Sequence, residues 1–148
     1  MESLNLKRTM YLTEDEIRDN AKVILGFDEK DPDVKQGTGQ ITTFNQLGFK
    51  GVSDKPDGWY LPNDKQDIAI ILETKSEKED VFSEKHYAEL VKNIEIAALQ
   101  YKRVVGILYN GTDVRVIKYI KGSEQYEEIA DVAKTLQNKR YYIALFKD

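Results

Sequence analysis

Ile68-Ala69-Ile70-Ile71-Leu72 is apolar at odd and even positions alike. Side chains alternate between the two faces of a strand, so a run without polar alternation has both faces covered. Such a strand belongs in the middle of a sheet flanked by helices. The run ends in Glu73-Thr74-Lys75. In extended chain Glu73 and Lys75 share one face and Thr74 takes the other. A carboxylate and an ammonium therefore leave the end of the buried strand together.

The other elements are read outward from this strand. Thr13 stands three residues before Glu16, the spacing of a capping box, and acidic residues favour the first turn. Ile17, Ala21, Ile24 and Leu25 follow at helical spacing, and Gly26 is a natural stop. Residues 27–39 hold Asp28, Asp31, Pro32, Asp33, Gly37 and Gly39, which predicts a loop. Residues 41–44 and 55–61 are predicted as strands, with a turn at Pro62-Asn63-Asp64-Lys65. Ser83 precedes a predicted helix reaching about Tyr101, with Tyr87, Leu90, Val91, Ile94, Ala97 and Ala98 as its inward stripe. Residues 104–109 and 114–120 read as strands joined around Asn110-Gly111, a strong hairpin signal. Residues 124–136 read as a helix and residues 141–146 as a last strand. The order α-β-β-β-α-β-β-α-β predicts an α/β domain spanning residues 1–148, with a central mixed sheet flanked by helices. The chain stops soon after its last apolar stretch, so the expectation is an N-terminal piece of a longer polypeptide.

Composition narrows the chemistry. There is no cysteine and a single histidine, His86, so thiolate and histidine-rich metal sites are excluded. A metal would be held by carboxylates and carbonyls, which suits Mg²⁺, Mn²⁺ or Ca²⁺. No apolar run approaches the ~20 residues of a membrane span, and the expectation is a soluble cytoplasmic protein. The net charge of −4 argues mildly against nucleic acid. An acidic metal cluster would account for part of it, and a local lysine patch could still dock phosphate.

Asp57 lies sixteen residues before Glu73, after Pro56 and on the preceding predicted strand. If those strands form a hairpin, Asp57, Glu73 and Lys75 converge on one accessible corner. Phosphodiester hydrolysis needs a divalent ion, an activated water and positive charge near the transition state. Acid-x-Lys triplets are common in a chain that is 32% charged, and Asp28-Glu29-Lys30 and Asp33-Val34-Lys35 are two more. Only Glu73-Thr74-Lys75 ends a buried apolar strand. Lys78, Lys85, Lys102 and Arg103 are candidate phosphate contacts, although solvated helix faces explain any one of them as well. His86 reads as a surface or half-buried histidine. Gly37-Thr38-Gly39 lacks the Lys-Ser/Thr and helix of a P-loop.

Pro56-Asp57 and Glu73-Thr74-Lys75 resemble the two core motifs of the PD-(D/E)xK nuclease superfamily, in order and spacing. The resemblance goes further for one branch, the N-terminal nuclease domains of type I restriction motor subunits and fused restriction–methyltransferases. Glu14 or Glu16 with Arg18 on the first helix, Gln100-Tyr101, and Tyr109-Asn110-Gly111 extend it over residues 13–120. Gln100 and Tyr101 are adjacent here, where the family spaces them by a helical turn. The resemblance implies a restriction-endonuclease-like α-β-β-β-α-β core and a DNA endonuclease within a restriction–modification enzyme. It further implies Mg²⁺, replaceable by Mn²⁺, on Asp57 and Glu73, with Lys75 placing the attacking water. A first-helix glutamate, Glu14 or Glu16, would support them, although helix capping explains Glu16 as well. DNA, with methyltransferase, helicase or specificity domains, would be the partner set. A nuclease-like docking module without catalysis, or a repair or RNA nuclease of the same superfamily, are the alternatives.

Overall fold

A computed structural model describes residues 11–123 and 125–147. Its first helix, α1 (Glu14–Leu25), begins with the capping box: Thr13 accepts from the Glu16 N–H, and the Glu16 carboxylate accepts from the Thr13 N–H at 3.0 Å. Gly26 ends it in the left-handed region at φ 79°. Ile17, Ala21 and Leu25 are buried, whereas Ile24 is 39% exposed. The fourth inward residue is Arg18, which an apolar stripe does not reveal.

Six strands follow in one sheet: β1 (Val34–Thr38), β2 (Gly58–Pro62), β3 (Ala69–Thr74), β4 (Arg103–Tyr109), β5 (Val114–Ile120) and β6 (Gln125–Glu128). They lie side by side in sequence order. β3 and β4 are parallel and every other neighbouring pair is antiparallel. The crossover between the parallel pair is α2 (Glu84–Ala97), as parallel strands require. α3 (Lys139–Ile143) and a 3₁₀ turn (Ala144–Phe146) complete the described chain. The fold is therefore α/β with a mixed central sheet. No helix among the described residues is long and apolar enough to cross a membrane.

β3 is buried along its whole length, as its unbroken apolar run requires. Ala69 and Ile71 pack with Leu90, Ile94 and Ala97 of α2. Ile70 and Leu72 pack with Ile17, Ala21 and Leu25 of α1 and with Tyr142 of α3. α2 sits tightly on β4: a Cβ at Gly106 would lie 2.4 Å from Ile94 Cδ1. The close approach fixes the height of α2 over the end of β3.

Four expectations are corrected. Residues 41–44 form no strand, and Ile41 is 78% exposed. The first strand lies instead at Val34–Thr38, inside the predicted loop, where β2 supplies a ladder that the local sequence does not advertise. Phe44 is buried as an anchor, edge-on to Phe49 at 5.3 Å, beside a 3₁₀ turn (Asn45–Leu47). The predicted helix over residues 124–136 begins at Glu124, outside the described residues. From Gln125 the chain is β6 and then irregular, drawn onto β5 by stacked Tyr119 and Tyr126 and by Arg115 on Glu128. The predicted last strand is α3 with its 3₁₀ turn, capped by Asn138 accepting from the Arg140 N–H.

α3 is tied to α1 through Lys139, whose buried ammonium donates to Gly26 O (2.6 Å), Glu29 Oε1 (2.7 Å) and Gln36 Oε1 (2.8 Å). Lys139→Met removes the ammonium from the buried Gly26 O, which keeps only the Glu29 N–H, and from the half-buried Gln36 Oε1, while Glu29, half exposed, returns to water. A loss of about 2 kcal/mol in chemical denaturation is expected.

Candidate active site

Glu73 and Lys75 leave β3 toward α2, as period-two geometry requires, and Thr74 turns the other way. Glu73 is only 7% exposed, and its Oε2 accepts from Asn93 Nδ2 of α2 at 2.6 Å. Asp57 stands one residue before β2 rather than within it. Its Oδ2 accepts from the Thr74 N–H at 2.8 Å and from the Thr74 hydroxyl at 3.2 Å. That pair of bonds fastens the Asp57 carboxylate to the end of β3. β2 and β3 form the expected antiparallel pair, with Gly58 opposite Leu72.

The two acids share an uneasy electrostatic setting. Burial pushes the Glu73 carboxyl up to about 8, with the Asp57 charge adding to the shift; the Asn93 bond and the Lys75 charge oppose it. Burial also raises Asp57, against the Thr74 bonds and the charges of Arg18 and Lys75. Burial works against the Lys75 ammonium too. Its hydrogen bond with Glu89 and the charges of Glu89, Glu73 and Glu14 outweigh burial and raise its pKa. Two carboxylates and one ammonium are thus held in mutual electrostatic reach at the end of the central strand.

α1 contributes a cation. Arg18 is buried, pairs with Asp15 and acts on Asp57 by charge. The two first-helix glutamates are placed differently. Glu16 accepts from the Thr13 N–H and hydroxyl, each at 3.0 Å, so its carboxylate is engaged in capping. Glu14 is close enough for its charge to act on Lys75.

The remaining candidates divide between the two ends of the sheet. Lys78, in the β3–α2 loop, lies with its ammonium 5.3 Å from the Tyr11 ring, and Lys85 is exposed on the first turn of α2; both are at the Glu73 end. Lys102 and Arg103 sit at the start of β4, whereas Glu73 pairs with Leu108 near its finish. They occupy the opposite end. Gln100 donates to Gly48 O, and the Tyr101 hydroxyl to Pro62 O, also away from Glu73. Asn110 does close the hairpin at the site: its Oδ1 accepts from Thr112 and Asp113, and its Nδ2 donates to Glu79 O at 2.8 Å.

Sequence reasoning missed the polar contribution of α2. His86, Glu89 and Asn93 recur at helical spacing and line the site side of the helix. Glu89 Oε1 lies 3.1 Å from Lys75 Nζ and 2.9 Å from His86 Nδ1. The available signal was that spacing in register with Leu90, Ile94 and Ala97.

The donor set fits a hard divalent cation. Asp57 and Glu73 are oxygen ligands, and Asn93 Oδ1 is a buried oxygen without a hydrogen-bond partner. Among the described residues no three His, Cys, Asp or Glu side chains gather closely enough to hold an ion. An ion here would complete its shell with water, backbone or amide oxygens, the habit of Mg²⁺. Two cavities lie away from these residues: one of about 380 Å³ by Tyr60, Ile68, Arg103 and Phe146, another of about 550 Å³ by Arg115, Glu128 and Val132. Comparison with protein-family models, curated proteins and solved structures returns no match to this chain.

Proposed function

We propose that this chain is a Mg²⁺-dependent DNA endonuclease domain of the PD-(D/E)xK type, acting in the cytoplasm within a restriction–modification enzyme. The observation that carries it is the fastening of Asp57 to the strand end from which Glu73 and Lys75 project. The element order α1-β1-β2-β3-α2-β4 supports the same reading, since the family core runs α-β-β-β-α-β. Asp57 and Glu73 would hold Mg²⁺ or Mn²⁺. When bound, the ion supplies positive charge to the scissile phosphate and acidifies water. Lys75 orients the attacking water and places positive charge beside the developing negative charge. Arg18 favours the ionised form of Asp57, and Asn93 holds the Glu73 carboxylate in one rotamer. Lys78 and Lys85 would contact the phosphate backbone.

Incubation of the chain with supercoiled plasmid and Mg²⁺ is expected to yield nicked and linear DNA, and EDTA to stop the reaction. A parallel RNA substrate tests the repair or RNA-processing branch. The net charge of −4 favours a second reading, a docking module on the same fold. Such a module leaves both substrates intact. Methyltransferase, helicase or specificity domains would be the partners under the first reading.

A further inference from the structure

Lys75 is held from α2. Its Nζ lies 3.1 Å from Glu89 Oε1, and the same oxygen lies 2.9 Å from His86 Nδ1. His86 Nε2 in turn lies 2.8 Å from Glu79 Oε1. The imidazole is buried between two carboxylates that reach the surface, 41% and 48% exposed. Both nitrogens can donate at once when the ring carries two protons. Glu79 is itself anchored, because Asn110 Nδ2 of the β4–β5 hairpin holds its carbonyl. Three elements therefore meet on this chain of contacts: the end of β3, α2 and the hairpin.

A lysine is a compact charge on a flexible stem, so its acceptors decide its aim. A lone carboxylate this exposed would aim it loosely, since exposed ion pairs are weak. A buried imidazole on the same oxygen restricts the rotamers of Glu89, and Glu79 restricts the imidazole. We propose that Glu89, His86 and Glu79 form a positioning relay that sets where the Lys75 ammonium stands. None of the three touches substrate, and the relay rests on the nuclease reading above.

The test is plasmid cleavage with Mg²⁺ by the wild-type chain and by Glu89→Gln, His86→Gln, Glu79→Gln and the Glu89→Gln/His86→Gln double variant. Glu89→Gln and His86→Gln are each expected to lower kcat about ten-fold, the usual scale for outer partners of a site. KM is expected to stay within about two-fold, and Mn²⁺ affinity by calorimetry to stay unchanged. The double variant is expected within about two-fold of the weaker single one, because both changes act through one lysine. Glu79→Gln, a surface change that leaves the fold intact, is expected to lower kcat by a smaller factor. It carries the test with Glu89→Gln if His86→Gln does not fold. A wild-type chain that cleaves with kcat unchanged in Glu89→Gln and Glu79→Gln overturns the relay alone. Multiplying effects in the double variant, with KM and metal affinity moving together, make the residues merely structural and also overturn it. A wild-type chain that cleaves neither DNA nor RNA overturns the nuclease reading and the relay with it.

Discussion

Asp57→Asn, Glu73→Gln and Lys75→Met are each expected to lower Mg²⁺-dependent DNA cleavage by roughly three orders of magnitude or more, with the fold retained. Removing a single charge-stabilising group from a preorganised site costs about 10²–10³ in rate. Removing half of a two-carboxylate ion site costs the ion as well. The three side chains stand at the sheet's end, where Asp57 is held by the Thr74 N–H and hydroxyl and Lys75 by the part-exposed Glu89, in polar contacts outside the two apolar core clusters. Circular dichroism of each variant should match the wild type. Gel assays of plasmid cleavage read the effect, and near-wild-type cleavage by any of the three variants removes that residue from the mechanism.

The second large effect is on stability. Glu73 has a folded pKa near 8 against about 4.5 when free in the chain. Below pH 4.5 it is protonated in both states and costs nothing. Between 4.5 and 8 the unfolded chain releases the proton and the folded chain retains it, so stability falls as pH rises. Above 8 both states are ionised and the full penalty stands. Each pKa unit corresponds to about 1.4 kcal/mol, so the penalty is on the order of a few kcal/mol. In EDTA, Glu73→Gln should therefore be more stable than wild type at pH 8.5, by about 3 kcal/mol, and indistinguishable from it at pH 4. Mg²⁺ should restore much of the difference to wild type and do nothing for the variant. Parallel urea titrations at the two pH values decide it; equal stability at pH 8.5 would remove the electrostatic strain inferred at Glu73.

Glu73 and Lys75 were legible as neighbours because a single extended segment carries both. Ile68 to Leu72 announced burial on both faces, and period two then put Glu73 and Lys75 together. The hairpin that brings Asp57 alongside was also legible, although Asp57 lies just before β2 and takes its place from Thr74. α2 was harder. Its apolar stripe gave Leu90, Ile94 and Ala97, but Glu89 and Asn93 look like solvated residues until the end of β3 is known to lie beneath them. The Thr13–Glu16 spacing already marked Glu16 as the capping glutamate, and the bonds it accepts from the Thr13 N–H and hydroxyl agree. β1 was hidden for a different reason. Lys35, Gln36 and Gly37 have little strand propensity, and pairing with β2, together with the Trp59 ring packed over Gly37, makes them a strand. At the C-terminal end, the aromatic and branched residues of α3 read as β, yet Asn138 caps them and Tyr142 buries against α1. Tertiary contacts there outweighed local preference.

The most direct test of the account is calorimetric titration of the metal-free chain with Mn²⁺, alongside Asp57→Asn and Lys75→Met. Binding to the wild type, loss in Asp57→Asn and retention in Lys75→Met would fit a carboxylate-held ion beside a lysine that acts on water. No binding to the wild type, or equal binding to Asp57→Asn, would contradict a metal centre at the end of the central strand.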